Sequence, residues 1–221
     1  AAGYEAQVKS IVMVKNHENA LPKPVKAKVY QPLRKVDPAL THWRKLTPAY
    51  EEYPFGHDLL SKYFEIVDSP QDADFALVAI KCPIGHWGYV GPTEEYPNGH
   101  YQPISLQYMP YTADHAREQS IGAGDPTEAE SNRSYKGFTE TTFNVGDMQL
   151  VIDTKKQMGA KPVIVVVSTD RPFVPAEIEP YSDALLLNFG VSNNALLDII
   201  SGRYEPSGLL PMQLPANMKT V

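Results

Sequence analysis

Residues 145–170, VGDMQLVIDTKKQMGAKPVIVVVSTD, decide the fold because they join a helical pattern directly to a buried strand. Apolar residues recur at helical spacing in the first half, Asp147 lies in the first turn, and Gly159 can end the helix. The apolar, β-branched run that follows at 163–168 has the length of a strand. Alternating helices and buried strands are typical of a parallel sheet, whose neighbouring strands need crossover connections.

Other segments extend this pattern on both sides. ALLDIISGRY (195–204) places apolar residues on one helical face, and Asn193 or Asn194 could cap that helix. Further strands are predicted at KAKVYQ (26–31), KYFEIVDSP (62–70), FALVAI (75–80) and ALLLNF (184–189). We therefore predict an α/β fold, a three-layer sandwich with a mostly parallel, doubly wound sheet.

Both ends of the chain and one internal region carry other patterns. YEAQVKSIVMVKNHENALP (4–22) is predicted to be a helix that enters a loop. Residues 83–144 are rich in Gly, Pro, Tyr and His and keep no period, which indicates a long irregular insertion. The prolines of RYEPSGLLPMQLPANM (203–218) restrict the backbone to an extended path, for which we predict a strand and ledge that close the domain.

Composition disfavours several classes of partner. The 221 residues carry a formal net charge of −6 without a dense Lys/Arg cluster, so neither nucleic acid nor an anionic membrane surface is expected as a partner. No stretch predicts a transmembrane helix. The single cysteine, Cys82, follows an apolar run and is predicted to be a buried, small hydrophobic residue.

We expect no metal or other cofactor. The six histidines show no spacing typical of metal ligands. The glycine-rich segment SIGAGDP (120–126) lacks the preceding strand and following helix that a phosphate-binding loop requires.

Five segments together point to a family: KSIVMVKNHENALP (9–22), DADFALVAI (72–80), NRSYKG (132–137), DMQLVIDTKKQMGAKPVIVVV (147–167) and SDALLLNFGVSNNALLDIISGRYEPSGLLPMQLP (182–215). In this order they resemble the second domain of glycoside hydrolase family 3, which includes β-glucosidases and exo-acting glucan hydrolases. The resemblance implies that residues 1–24 form a linker helix and loop from a missing N-terminal (β/α)₈ barrel. Residues 25–221 would then be the α/β sandwich domain, with the insertion at about 83–144.

The resemblance also implies a function and a partner. Members are retaining exo-acting β-glycosidases, in which one carboxylate attacks the anomeric carbon and a second carboxylate protonates the leaving oxygen and then activates water. The nucleophile belongs to the barrel, which would be the partner of this domain within the same protein. A β-glucoside or oligosaccharide would be the substrate, the chain alone would be inactive, and a periplasmic or secreted location is favoured.

Glu140, in GFTETT (137–142), is the predicted acid/base residue, because this stretch resembles the Thr-Glu-Thr of some plant exo-glucanases in the family. We expect its side chain at the surface of the insertion, near the carboxyl ends of the strands. Four other glutamates of the insertion stay open as alternatives: Glu94, Glu118, Glu128 and Glu130.

HWGYVGPTEEYPNGHYQP (86–103) is rich in side chains that stack on sugars. Trp87, Tyr89 and Tyr96 are predicted to shape a sugar subsite, and packing of the loop on itself is the alternative. Asp183 precedes a buried strand, which favours a turn or capping role.

A second hypothesis for the whole chain is a free-standing, doubly wound domain that binds a carbohydrate or another ligand without catalysis. Its ligand would lie at the carboxyl ends of the strands.

Overall fold

The computed structural model describes residues 2–40, 46–86, 88–97, 99–127 and 131–221. Within these ranges the α-helices are α1 (Ala2–Ser10), α2 (His57–Leu60), α3 (Val145–Met158) and α4 (Asn193–Ile200). The strands of the central sheet are β1 (Val12–Asn16), β2 (Lys28–Tyr30), β7 (Glu65–Val67), β8 (Phe75–Lys81), β13 (Val163–Ser168) and β14 (Ala184–Asn188). Shorter strands form two-stranded pairs: β3 (Arg34–Val36) with β6 (Tyr50–Glu52), β4 (Ala39–Leu40) with β5 (Leu46–Thr47), β9 (Tyr89–Val90) with β10 (His100–Tyr101), and β11 (Tyr111–Thr112) with β12 (Thr139–Glu140).

The central sheet has the order β1-β14-β13-β8-β2-β7. Every neighbouring pair is parallel except β1 with β14, which is antiparallel. The predicted α/β class and the predicted strands at 26–31, 62–70, 75–80, 163–168 and 184–189 are confirmed.

Both faces of the sheet are buried, which explains the continuous apolar runs of its central strands. Phe75 and Leu77 of β8 point into a core shared with α1, α2 and α4. Ala76 and Val78 of the same strand point into a second core under α3. The sheet is therefore the middle layer of three.

The helix predicted across residues 4–22 is wrong beyond Ser10. Helix α1 ends there, and Val12–Asn16 forms an edge strand against β14. The apolar residues of this segment fit either a helix or a strand, and pairing with β14 decides between them. The register shifts between Met13 and Lys15, so the strand contains a bulge.

The amino-terminal segment is also tied to the rest of the domain through side chains. The Tyr4 hydroxyl donates to Asp198 Oδ2 at 2.5 Å, and the Tyr63 hydroxyl donates to Asp198 Oδ1 at 2.8 Å. Asp198 belongs to α4, so this carboxylate connects α1 to α4 and to the segment before β7.

Two predictions near the carboxyl terminus are also corrected. The residue at the N-cap of α4 is Ser192 rather than Asn193 or Asn194, and its side chain makes no capping hydrogen bond. Residues 203–217 contain no strand. Instead Gly208 N donates to Ile11 O at 3.2 Å, and this close approach of two backbones fastens the segment beside β1.

Candidate functional site

The candidate site lies where the insertion meets the carboxyl end of β8. Asn144, just before α3, donates from Nδ2 to the carbonyl oxygens of Lys81 and Cys82 at 3.2 and 3.0 Å. Ile84 N donates to Asn144 Oδ1 at 2.8 Å, and Phe143 N donates to Ile84 O at 2.7 Å. These bonds hold the segments 81–86 and 140–144 side by side.

Glu140 is the buried member of a pair with His86. Its carboxylate accepts a hydrogen bond from His86 N at 2.8 Å, and its two oxygens lie 3.1 and 3.0 Å from His86 Nδ1. Glu140 is 1% exposed, whereas the His86 side chain is 37% exposed. The expectation that Glu140 lies at the surface is therefore wrong, because the chain around His86 covers its carboxylate.

Gly85 makes this arrangement sterically possible. A Cβ atom at residue 85 would lie 2.4 Å from Glu140 Oε1, closer than a carbon and an oxygen can pack. On another side, the ring of Phe143 contacts the imidazole edge to face, with 4.9 Å between the ring centroids. The imidazole is thus fixed by a carboxylate and by an aromatic ring.

The pair also changes the protonation of His86. The hydrogen bond to Glu140 raises the pKa of His86 above its ordinary value, and partial burial opposes this effect. The imidazolium form therefore persists to higher pH than for a free histidine. In either protonation state, a proton on Nδ1 can be donated to Glu140, which leaves Nε2 to gain or lose a proton.

A buried ion pair supports the same end of the sheet. Asp147, in the first turn of α3, accepts from Arg34 Nε and Nη2 at 2.7 and 2.8 Å and from Lys81 N at 3.1 Å. Arg34 also donates to Glu52 Oε1 at 2.5 Å. The β3–β6 pair is thereby attached to the strand end from which the candidate site begins.

Of the three aromatic residues predicted to bind sugar, the structure describes Tyr89 and Tyr96. Trp87 lies outside the described residues. The Tyr89 ring lies 5.2 Å from the Tyr101 ring, and Tyr89 is 43% exposed. The rings of His100 and Phe138 lie 4.3 and 5.5 Å from the Tyr96 ring, which shows that Tyr96 packs within the insertion.

Two of the four alternative glutamates, Glu94 and Glu118, lie within the described residues. Glu94 is exposed, and Glu118 is exposed and bonded to Lys136 at 2.9 Å. Glu128 and Glu130 lie outside the described residues.

Asp183 has a structural role, as predicted. Its Oδ2 accepts from Lys155 Nζ at 2.8 Å and from Val163 N at 2.7 Å. The carboxylate therefore connects α3 to the start of β13.

His86 is the residue that sequence reasoning missed, because the histidines were considered only as metal ligands. Its partner is 54 positions away in the sequence, and no local pattern joins the two. The sequence feature that could have identified His86 is its position. It begins the aromatic stretch and lies five residues after a buried strand ends.

A second, open cleft lies at the carboxyl ends of β8, β13 and β14. It measures about 390 Å³, and its lining includes Cys82, Thr169, Arg171 and Asn188. Cys82 is 3% exposed, which confirms its predicted burial, and this burial raises the pKa of its thiol. Within the described ranges no group of three or more His, Cys, Asp or Glu side chains could hold a metal ion, and no helix is long and apolar enough to cross a membrane.

This chain is similar in sequence to longer proteins that are named as β-glucosidases. The chain is 27% identical over 224 residues to a protein named "Probable beta-glucosidase C" from Aspergillus flavus, a match that covers 99% of this chain and 25% of that protein. The chain therefore spans about a quarter of the length of such relatives.

Solved structures share the fold. A crystal structure of the β-glucosidase from Listeria innocua in complex with gluconolactone superposes with a TM-score of 0.52 at 19% identity, covering 97% of this chain and 26% of that one. The family 3 β-glucosidase of Bifidobacterium adolescentis gives a TM-score of 0.54 at 14% identity, covering 98% and 29%. The model of the glycosyl hydrolase family 3 C-terminal domain matches residues 11–221, and the chain belongs to this family.

Proposed function

We propose that this chain is the C-terminal domain of a retaining, exo-acting β-glycosidase of the β-glucosidase type. In this proposal residues 1–24 lead from an N-terminal (β/α)₈ barrel, and residues 25–221 supply the acid/base loop and part of the sugar pocket. The family match and the names of the longer relatives support a glycosidase, and their greater length leaves room for a further domain.

One observation carries the assignment of the acid/base group. Within the insertion, the carboxylate that the family resemblance points to, Glu140, is bonded to a half-exposed imidazole, that of His86. A fixed group that can both give and accept a proton near neutral pH is what acid/base catalysis needs. The acid/base function is therefore assigned to the Glu140–His86 pair.

The other half of the chemistry lies outside this chain. In a retaining mechanism a carboxylate nucleophile attacks the anomeric carbon while the acid protonates the leaving oxygen, and the same group then activates water. The barrel would supply that nucleophile. Trp87 and Tyr89 are proposed to line the sugar subsite, whereas Tyr96 packs against His100 and Phe138.

The test uses the longer protein that contains this chain. We expect it to hydrolyse p-nitrophenyl β-glucoside and to leave the α-anomer of the same substrate intact. Proton NMR of the first product should show β-glucose, since two displacements retain the configuration. Absence of β-glycosidase activity, or release of α-glucose first, would overturn the proposal.

The open cleft at the strand ends favours the second candidate, a domain that binds a ligand without catalysis. Calorimetric titration of this chain with glucose and with β-linked oligosaccharides separates the two. Binding that is lost on Asn188→Ala, in a longer protein without hydrolytic activity, would favour the binding domain.

A further inference from the structure

The two ring nitrogens of His86 have different surroundings. Nδ1 lies against both carboxylate oxygens of Glu140, at 3.1 and 3.0 Å, and the imidazole packs against the Phe143 ring with 4.9 Å between the ring centroids. Nε2 has no hydrogen-bond partner within the part of the chain that the structure describes. The imidazole is therefore oriented by its protein contacts at Nδ1, and no described residue bonds to Nε2 of this partly exposed side chain.

Glu140 itself is poorly placed to reach a substrate. Its side chain is fully buried, and Gly85 lies directly over one carboxylate oxygen. A general acid must come within hydrogen-bond distance of the atom it protonates, either directly or through one water. A sugar can approach His86 without disturbing the pair, whereas contact with Glu140 would require displacement of the segment that holds Gly85.

We propose that His86 Nε2 transfers the proton in glycoside cleavage and that Glu140 is a positioning residue that orients the imidazole. This inference rests on the proposed glycosidase function. It assigns the proton to a histidine of the insertion instead of a carboxylic acid, and it makes natural β-glycosides with poor leaving groups the substrates that depend most on this domain.

The two chemical steps balance with a carboxylate nucleophile from the barrel. In the first step the carboxylate oxygen forms a bond to the anomeric carbon as the bond to the glycosidic oxygen breaks, and His86 Nε2 gives its proton to that oxygen. In the second step neutral His86 takes a proton from water, the water oxygen bonds to the anomeric carbon, and the carboxylate leaves. The imidazolium form is then restored.

The charged surroundings of His86 are simple within the described residues. Glu140 is the titratable group in contact with the imidazole, and Phe143 supplies an uncharged ring. The alkaline limb of the pH dependence of the first step should therefore follow His86, whose pKa is raised by the Glu140 contact, and the acidic limb should follow the nucleophilic carboxylate.

The experiment compares variants of the longer protein. His86→Gln should lower kcat/KM for an alkyl β-glucoside by about 10²–10⁴-fold, the usual value of general acid catalysis, and should lower it much less for 2,4-dinitrophenyl β-glucoside. For His86→Ala, added azide should accelerate turnover of the activated substrate and give β-glucosyl azide, because azide attacks without a general base. His115→Gln, an exposed histidine of the same insertion, is the matched control and should behave as wild type.

The variant Glu140→Gln tests separately whether Glu140 positions the imidazole of His86. It should retain the leaving-group dependence of wild type, and its alkaline limb in kcat/KM should move to lower pH, because the contact that raises the His86 pKa is weakened. Should this variant unfold, the His86 variants still decide the proposal, since their side chain is half-exposed.

The outcomes are distinct. An inactive wild-type protein would refute the glycosidase function itself. An active wild type in which His86→Gln keeps its alkyl-glucoside activity within about threefold would overturn only the role of His86. Azide rescue of Glu140→Ala, but not of His86→Ala, would likewise overturn it and return the proton to Glu140.

Discussion

Arg34 and Asp147, which are 113 residues apart in the sequence, form a bidentate ion pair with almost no solvent exposure. Two nitrogens of the guanidinium meet the two carboxylate oxygens, and the Lys81 amide adds a third donor to Asp147. The pair joins the start of α3 to the β3–β6 hairpin and to the end of β8. It therefore connects three elements on which the candidate site depends.

We predict that Asp147→Ala destabilises the domain by about 3–5 kcal/mol, because it leaves the Arg34 charge buried without this partner. Urea unfolding of the two proteins measures the difference. Glu51→Ala is the matched control: Glu51 pairs with the neighbouring Lys35 on the same hairpin, but both side chains are exposed, so a change within about 0.5 kcal/mol is expected. Similar losses in both variants would contradict the importance of burial.

Gly85→Ala tests the packing over Glu140. The added Cβ would lie 2.4 Å from the carboxylate oxygen, so the carboxylate must move and its contacts to His86 must lengthen. We expect lower stability and a His86 pKa closer to the ordinary value, measured by NMR titration of the imidazole. Gly146→Ala, within α3, is the control, since its Cβ would meet only Asp37 Oδ2 at 3.9 Å and alanine favours the helix. An unchanged His86 titration in Gly85→Ala would show that the packing does not hold the pair.

The His86–Glu140 pair should make stability depend on pH in a known direction. The folded state holds the His86 proton to higher pH than the unfolded chain, in which the pKa of His86 is near 6.5. The stabilisation is therefore fully present below pH 6.5 and is lost as pH rises through the raised pKa of the folded state. The free energy of unfolding of wild type, relative to His86→Gln, should decrease over that interval. A difference between the two proteins that stays constant from pH 5 to 9 would contradict the pairing.

The strands of the central sheet could be predicted because strands that are buried on both faces have continuous apolar sequences. FALVAI and VIVVVS have few polar positions, and the helix at 145–158 between them has both a period and a terminating Gly159. Strand β1 could not be predicted in the same way. Its apolar residues fit both a helical and a strand period. The segment becomes a strand because it pairs with the edge of β14, which lies far along the chain.

The geometry of the candidate site could not be predicted from the sequence. The long irregular insertion is the region in which we propose a functional loop, and a family resemblance points to Glu140 within it. The burial of Glu140 depends on a contact with His86 across 54 residues, inside a region without regular pattern. Likewise the extended path after Arg203 follows from its prolines, but its attachment through Gly208 to Ile11 is a backbone contact that side-chain patterns do not encode.

The central claim is that this chain supplies only part of a glycosidase active site. The most direct measurement is hydrolysis of p-nitrophenyl β-glucoside by residues 1–221 alone, beside the longer protein at equal concentration. We predict turnover by the longer protein and none above the buffer rate by the isolated chain, because the proposed nucleophilic carboxylate would belong to the barrel. Clear turnover by the isolated chain that disappears on Glu140→Gln or His86→Gln would contradict the account and place a complete active site within these residues.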